Sequence, residues 1–180
     1  VMAVIKANAY GHGLETAAAA LADADGLAVA RVEEALALRA AGSRQRILLL
    51  EGVSRADQLV VAAREDFDVM VHSHEQLVML EQRSQVTKLR TWIKVDTGMN
   101  RLGFRIEEFA DALARLVHTS GVARDPTLVT HLASADEVAD PKTQQQLDAF
   151  EAATAGLPGE RSVANSAAIL AWPAARRDWV

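Results

Sequence analysis

A parallel α/β fold is predicted from three observations on this sequence of 180 residues. Short apolar, β-branched runs alternate with longer amphipathic stretches, the pattern of strands joined by crossover helices. The apolar runs are continuous, as in Ile47-Leu48-Leu49-Leu50 and Val69-Met70-Val71, which suits strands covered on both faces. Several runs also end in a side chain with useful chemistry, and parallel α/β folds gather their catalytic groups at the C-terminal ends of their strands.

In chain order the strands are expected at 1–6, 26–30, 46–51, 67–72, 89–96, 126–132 and 161–165. Helices are expected near 13–24, 31–41, 54–65, 74–84, 106–119 and 142–155. Within 31–41 the apolar residues Val32, Ala35, Leu36 and Leu38 fall at helical spacing, with Glu33, Glu34 and Arg39 largely opposite. Gly42 reads as the stop of that helix and Ser54 as the N-cap of the next. Alternation of this kind fits either an open doubly wound sheet or an eight-stranded barrel, and does not separate them. A complete barrel takes about 250 residues, so an eighth strand would have to follow Val180. The chain opens on Val1 inside an apparent strand and stops at Trp179-Val180 without a closing signal, so a piece cut at both ends is expected. No linker, repeat or low-complexity tract marks a second domain.

Composition narrows the function classes. Half the residues are hydrophobic and 24% are charged with mixed signs, an ordinary globular balance. The net charge of −5 disfavours a nucleic-acid partner, which requires a basic face, and the pair Arg176-Arg177 reads as solvated surface. With no cysteine, disulfides, thiolate chemistry and Cys-based zinc sites are excluded. No apolar run approaches the roughly 20 residues of a membrane span, and Lys6 and Asn8 interrupt the first apolar stretch, so no secretory pattern is present. A cytoplasmic protein fits these features. The sequence has neither G-x-G-x-x-G nor a Walker-type lysine loop, which disfavours a nucleotide cofactor.

The strands end at Lys6, Ala30, Glu51, His72, Lys94 to Asp96, His131 and Asn165-Ser166. Lys6 is followed by Ala-Asn-Ala-Tyr-Gly-His-Gly. A lysine in apolar surroundings loses basicity and becomes a nucleophile for an aldehyde, while the glycines allow positive φ or close backbone approach. Lys94 and Asp96 share one strand face; either they form a structural ion pair, or Lys94 serves a site with Arg101, whose fork matches a carboxylate. His131 suits ring stacking or a hydrogen bond, and equally a satisfied core histidine. Asn165-Ser166 opens a helix, as a phosphate site or a plain N-cap. His72 and His74 beside Glu75 only loosely approach metal spacing and are taken as structural, so no metal is expected. His12 and His118 are read as turn and surface residues.

Four segments carry a family resemblance. Ala3-Val4-Ile5-Lys6-Ala7-Asn8-Ala9-Tyr10-Gly11-His12-Gly13 resembles the cofactor-lysine motif of bacterial, pyridoxal-phosphate-dependent alanine racemases. Lys94-Val95-Asp96-Thr97-Gly98-Met99-Asn100-Arg101-Leu102-Gly103, Thr130-His131-Leu132-Ala133-Ser134-Ala135-Asp136 and Asn165-Ser166-Ala167-Ala168 resemble three further family motifs, in family order along nearly the whole chain. The resemblance implies a (β/α)8 TIM-type barrel, incomplete here at about seven of eight βα units, with residues 1–180 as a partial N-terminal barrel domain and the C-terminal β-domain absent.

It further implies pyridoxal 5'-phosphate as cofactor, alanine as substrate, an isomerase interconverting L- and D-alanine, and a homodimeric parent enzyme. Lys6 would carry the cofactor and act as one of two bases; Tyr10 and Ser166 would lie at its phosphate, with Asn165 in support. His131 would pack on its ring, and Arg101 would orient its phenolic oxygen and the substrate carboxylate. Lys94 matches a position carbamylated (N6-carboxylysine) in many members, where the anion would fix Arg101. The family's second base is a tyrosine of the partner subunit's C-terminal domain, and Tyr10 is the only tyrosine here. The arginine facing the pyridine nitrogen would also lie beyond Val180, so racemisation by this chain alone is not expected. A broad-specificity amino-acid racemase and a non-enzymatic cofactor-carrier barrel stay open as alternatives, and a ligand-free structural module is disfavoured by the four motifs.

Overall fold

Alternating apolar runs and amphipathic helices fold into a curved parallel sheet with helices on its outer face. The computed structural model describes residues 1–82, 88–123 and 125–180. Strands β1 (Met2–Val4), β2 (Gly26–Val29), β3 (Arg46–Leu49), β4 (Phe67–Val71), β5 (Thr91–Asp96), β7 (Thr127–Val129) and β8 (Arg161–Ser162) pair in that order, all parallel. The two-residue β6 (Phe104–Arg105) pairs with the end of β5. Between the strands run α2 (Leu14–Ala20), α3 (Val32–Ala40), α4 (Ala56–Arg64), α5 (His74–Glu81), α6 (Ile106–His118) and α7 (Lys142–Thr154), followed by α8 (Ser166–Ala171). Every strand and helix expected from the sequence is present, mostly shorter by one to four residues at an end. The helix expected at 74–84 ends at Glu81, and its residues 83 and 84 lie outside the described residues.

The seven-stranded incomplete barrel resolves the choice between architectures. Ser162 bridges to Trp179 in parallel, and the amide of Met2 donates to the carbonyl of Val180 at 2.7 Å. The eighth strand position, expected only after Val180, is thus already entered by the last two residues, which lie between β8 and β1.

Strand alternation divides the core in two. Leu27, Val29, Ile47, Leu49, Val69 and Ile93 face outward and pack with the apolar stripes of the helices. Met2, Ala28, Leu48, Met70, Trp92 and Val129 face the lumen, joined by Trp179. Both faces are covered, which is why the strands read as unbroken apolar runs. The floor of the lumen is polar. Asp68, fully buried, accepts from Arg46 Nε at 2.5 Å, Arg90 Nε at 2.7 Å and Trp92 Nε1 at 2.7 Å. The Arg46 guanidinium also lies over the rings of Trp92 and Trp179.

Local stops follow the chemistry of the chain with one exception. Gly42 at φ +92 closes α3, its amide bonding Arg39 O while Ser43 N reaches Leu38 O, the paired bonds of a Schellman ending. Ser54, expected to cap α4, lies one residue too early: the cap position is Arg55. Because arginine cannot accept a hydrogen bond, Gln58 Oε1 takes the amides of Ser54 and Arg55 from inside the helix.

Replacing Asp68 with alanine leaves the indole N–H of Trp92 buried without an acceptor and two guanidinium groups without their shared anion. The partial exposure of both arginines limits the loss, and a destabilisation of about 2–4 kcal/mol is expected, measurable as a lowered urea midpoint with unchanged slope.

Candidate functional site

The mouth of the lumen inherits its residues from the two-residue strand period. Lys6 is two residues past Val4, Lys94 two past Trp92, and His131 two past Val129, all three on lumen-facing series. With Tyr10, Arg101, Asn165 and Ser166 they line one cavity of about 1090 Å³. The geometry therefore brings together all the site residues expected from sequence.

Lys6 emerges from β1 into a turn of unusual hand. Ala7, Asn8, Ala9 and Tyr10 have φ between +52 and +55, and Gly11 follows at +96. This segment, α1 (Lys6–Tyr10), is a left-handed helical turn, whereas positive φ was expected only at the glycines. For non-glycine residues such a turn costs roughly 1–2 kcal/mol each, least for asparagine. Small Cβ groups at Ala7 and Ala9 reduce the crowding, and Asn8 ties the turn together. Its Oδ1 accepts from Leu14 N at 2.9 Å, and its carbonyl accepts from Gly11 N and Gly13 N. Outside the turn, Glu34 of α3 accepts from Ala7 N at 2.7 Å, and its second oxygen accepts from Ala30 N at 2.9 Å and Arg31 N at 3.2 Å.

The lysine in low-dielectric surroundings is Lys94. Lys6 stays half-buried, while Lys94 retains 9% of its exposure. Burial, then the nearby charge of Arg101, lowers the Lys94 pKa from 10.5 to about 8, against a smaller raising effect of Asp96. Neither Lys94 nor Arg101 has a hydrogen bond or ion pair to a side chain among the described residues. The Lys94–Asp96 ion pair weighed from sequence does not form. Asp96 Oδ1 accepts instead from Gly98 N and Asn100 N, both at 3.0 Å, and so shapes the loop that carries Arg101. Gly103, at φ +126, closes that loop where a Cβ would stand 2.8 Å from Asp96 N; only glycine lets the chain return so close to β5.

His131 is half-buried, and burial followed by Lys94, Arg101 and Lys6 lowers its pKa to about 4. At neutral pH it is an uncharged ring facing three cations. Its backbone is fixed by Gln146 of α7, which sequence reasoning missed. That buried amide accepts from Ala133 N at 2.9 Å and donates to His131 O at 3.0 Å and Thr97 Oγ1 at 3.3 Å. The Thr97 hydroxyl meets that of Thr130 at 2.8 Å, so one side chain joins the loops bearing Arg101 and His131. Gln76 of α5 does the same for the ends of β3 and β4, accepting from His72 N and donating to Glu51 O and Val53 O.

Asn165 is the N-cap of α8. Its Oδ1 accepts from Ala168 N at 3.0 Å, and Nδ2 donates to Leu132 O. The Ser166 hydroxyl has no hydrogen bond among the described residues and lies exposed on the first turn, lining the cavity. Tyr10 is 64% exposed at the rim. Of the residues set aside, His12 and His118 are exposed, and His118 Nδ1 contacts Ala114 O. Arg176 and Arg177 are less free than a solvated surface implies: one donates to Ile169 O and the other pairs with Glu151.

The family model described as "Alanine racemase, N-terminal domain" matches residues 1–180. The chain belongs to the alanine racemase N-terminal domain family. It is 50% identical to the alanine racemase of Halorhodospira halophila and 48% identical to that of Shewanella loihica, in each case over all of this chain and 50% of the relative. Among solved structures, the biosynthetic alanine racemase of Pseudomonas aeruginosa superposes with a TM-score of 0.94 at 42% identity, over 99% of this chain and 50% of that one. The chain thus spans about half the length of the relatives it matches. Among the described residues no helix is long and apolar enough to cross a membrane.

Buried Lys94 has a testable pH signature. Its folded-state pKa of about 8 lies below the ordinary 10.5. Below pH 8 both folded and unfolded chains hold the proton, and the folded state bears the full cost of the buried charge. Between pH 8 and 10.5 the unfolded chain binds more protons, so stability rises with pH. Melting temperatures should therefore show Lys94→Met stabilised over wild type at neutral pH, with the difference shrinking from pH 8 to 10.5.

Proposed function

We propose that the chain is the partial N-terminal barrel of a cytoplasmic, homodimeric enzyme that interconverts L- and D-alanine with pyridoxal 5'-phosphate. The observation that carries this reading is Lys6, presented at the end of β1 to a cavity also lined by Lys94, Arg101 and a neutral His131, in a chain of the alanine racemase family.

The donor set fits that cofactor. Lys6 supplies the amine for its aldehyde. The uncharged His131 ring offers a flat face without adding a cation. Tyr10, Ser166 and the first amides of α8 offer donors for a phosphate, with Asn165 holding the end of α8 in place. Arg101, free of protein partners among the described residues, is available for the phenolic oxygen and the substrate carboxylate.

When bound, pyridoxal phosphate supplies an electron sink for the pair left as the α-proton departs. Lys6 Nζ then takes or returns that proton on one face of the substrate carbon. A second base must serve the opposite face; by the family resemblance that base is a tyrosine of the partner subunit's C-terminal domain, and Tyr10, the sole tyrosine here, is proposed instead as a phosphate donor at the rim. Substrate identity rests on the relatives, which are named alanine racemases.

Lys94 is the site of a second proposed feature, carbamylation. Its lowered pKa raises the fraction of neutral amine at physiological pH. The Nζ lone pair forms a bond to the carbon of CO2 and one proton leaves to solvent. The product is an anion beside Arg101, where an awkward like-charge pair becomes an attractive one.

The spectrum of the purified protein with pyridoxal phosphate is the first test. A new absorption band, trapped on Lys6 by borohydride and absent in Lys6→Ala, is expected; its absence from the complete enzyme would refute the assignment of Lys6. For Lys94, intact mass in bicarbonate should show one added CO2 that disappears in Lys94→Ala, and an unmodified mass would refute carbamylation while leaving the cofactor site standing.

A further inference from the structure

We propose that Glu34 is a positioning residue for Lys6, holding open the left-handed turn on which the lysine is presented. The inference rests on the assignment of Lys6 as the cofactor-bearing lysine. Glu34 lies at the third position of α3, where a glutamate ordinarily caps its own helix. One oxygen does so, taking Arg31 N at 3.2 Å and Ala30 N at 2.9 Å. The other reaches 27 residues back to Ala7 N at 2.7 Å, the shortest of the three bonds and the first amide of the turn.

This amide is where anchoring matters most. Lys6 and Ala7 share one peptide unit, so fixing Ala7 N fixes the direction in which the lysine leaves β1. From Ala7 through Gly11 five successive residues have positive φ, a conformation that L-residues abandon unless their surroundings hold it. The inner bonds of the turn, from Asn8 to Leu14, Gly11 and Gly13, tie its far end. Glu34 ties its near end to α3 and to the end of β2, beside β1 in the sheet. Gln58 of α4 holds the equivalent position and makes the equivalent cap to Ser54 N and Arg55 N, with no hydrogen bond to the Lys6 turn among the described residues.

That pair of residues supplies the test and its control in the complete enzyme. Glu34→Gln keeps the shape of the side chain but leaves one acceptor oxygen for two groups of amides. Gln58→Ala removes a cap of the same kind from a neighbouring helix. Pyridoxal phosphate is added to cofactor-free protein and trapped with borohydride at timed intervals. Labelling of the Lys6 peptide is quantified by mass spectrometry, and amide exchange over residues 6–11 is followed in the same cofactor-free samples. Glu34→Gln is expected to slow Lys6 labelling about tenfold or more and to speed exchange across the turn, with Gln58→Ala unchanged in both. Adding Ala7→Gly to Glu34→Gln should recover part of the labelling rate, because glycine adopts positive φ without the Cβ penalty. A wild-type enzyme that labels no Lys6 overturns the function proposed above and this inference with it. Wild-type labelling matched by Glu34→Gln, equal losses in Gln58→Ala, or no recovery with Ala7→Gly overturns the positioning role alone.

Discussion

In-register parallel pairing is the constraint on which the site depends. Each strand contributes one lumen-facing series, and the register places those series side by side: Val4 against Ala28, Ala28 against Leu48, Met70 against Trp92, Lys94 against Val129. Above the polar floor set by Asp68, the members Ala28, Leu48, Met70, Trp92 and Val129 are apolar and pack within the lumen. The next step up each series carries the polar groups of the cavity, Lys6, Lys94 and His131. A slip of one residue in any pairing would turn that strand's cavity-lining polar group into the helix layer and its outward leucine or valine into the cavity. The apolar lumen is thus also the alignment device for the polar groups above it.

The mouth tolerates two costly features, and each is balanced locally in a different way. The left-handed turn after Lys6 is held by hydrogen bonds to Asn8 and Glu34. Among the described residues Lys94 has no hydrogen-bond or ion-pair partner, since Asp96 is committed to the loop amides and offsets only part of the cost of burial. The contrast with Asp68 is instructive. That carboxylate, equally deep, collects two guanidinium groups and an indole N–H, which is how a structural buried charge is satisfied. Lys94, at the top of the same lumen, is left in the opposite condition, which is the arrangement that the proposed carbamylation would relieve.

Much of this was legible in the sequence, because strand period and strand-end position need no tertiary information. Lys6, Lys94, Arg101, His131 and Asn165-Ser166 all stood at strand ends or on the loops that follow, and the four motifs named their family. Periodicity alone did not separate barrel from open sheet; the curvature that brings Trp179 and Val180 beside β1 is a property of the whole sheet. The hand of the Lys6 turn was hidden too, since alanine and tyrosine carry no propensity for positive φ and only their anchors make it affordable. Glu34, Gln76 and Gln146 escaped notice because a polar residue near a helix start reads as local capping, while their reach to a neighbouring loop depends on which βα units stand side by side.

Those three residues nonetheless share a physical logic. Helices α3, α4 and α6 begin at arginines, which cannot accept the free amides of a first turn and oppose the helix dipole. The acceptor is therefore moved inside the helix, to Glu34, Gln58 and Glu108 at the third position. A long side chain anchored there has a second polar atom left over. On α4 that atom makes no hydrogen bond to a distant loop among the described residues. On α3 the second oxygen meets the turn of Lys6. Gln76, under the true serine cap of α5, and Gln146, a turn further along α7, use their amides on the loops beside them. Capping from within thus becomes a means of tying adjacent βα loops together, and the rim where cofactor chemistry is proposed is fixed by the same groups that start the helices beneath it.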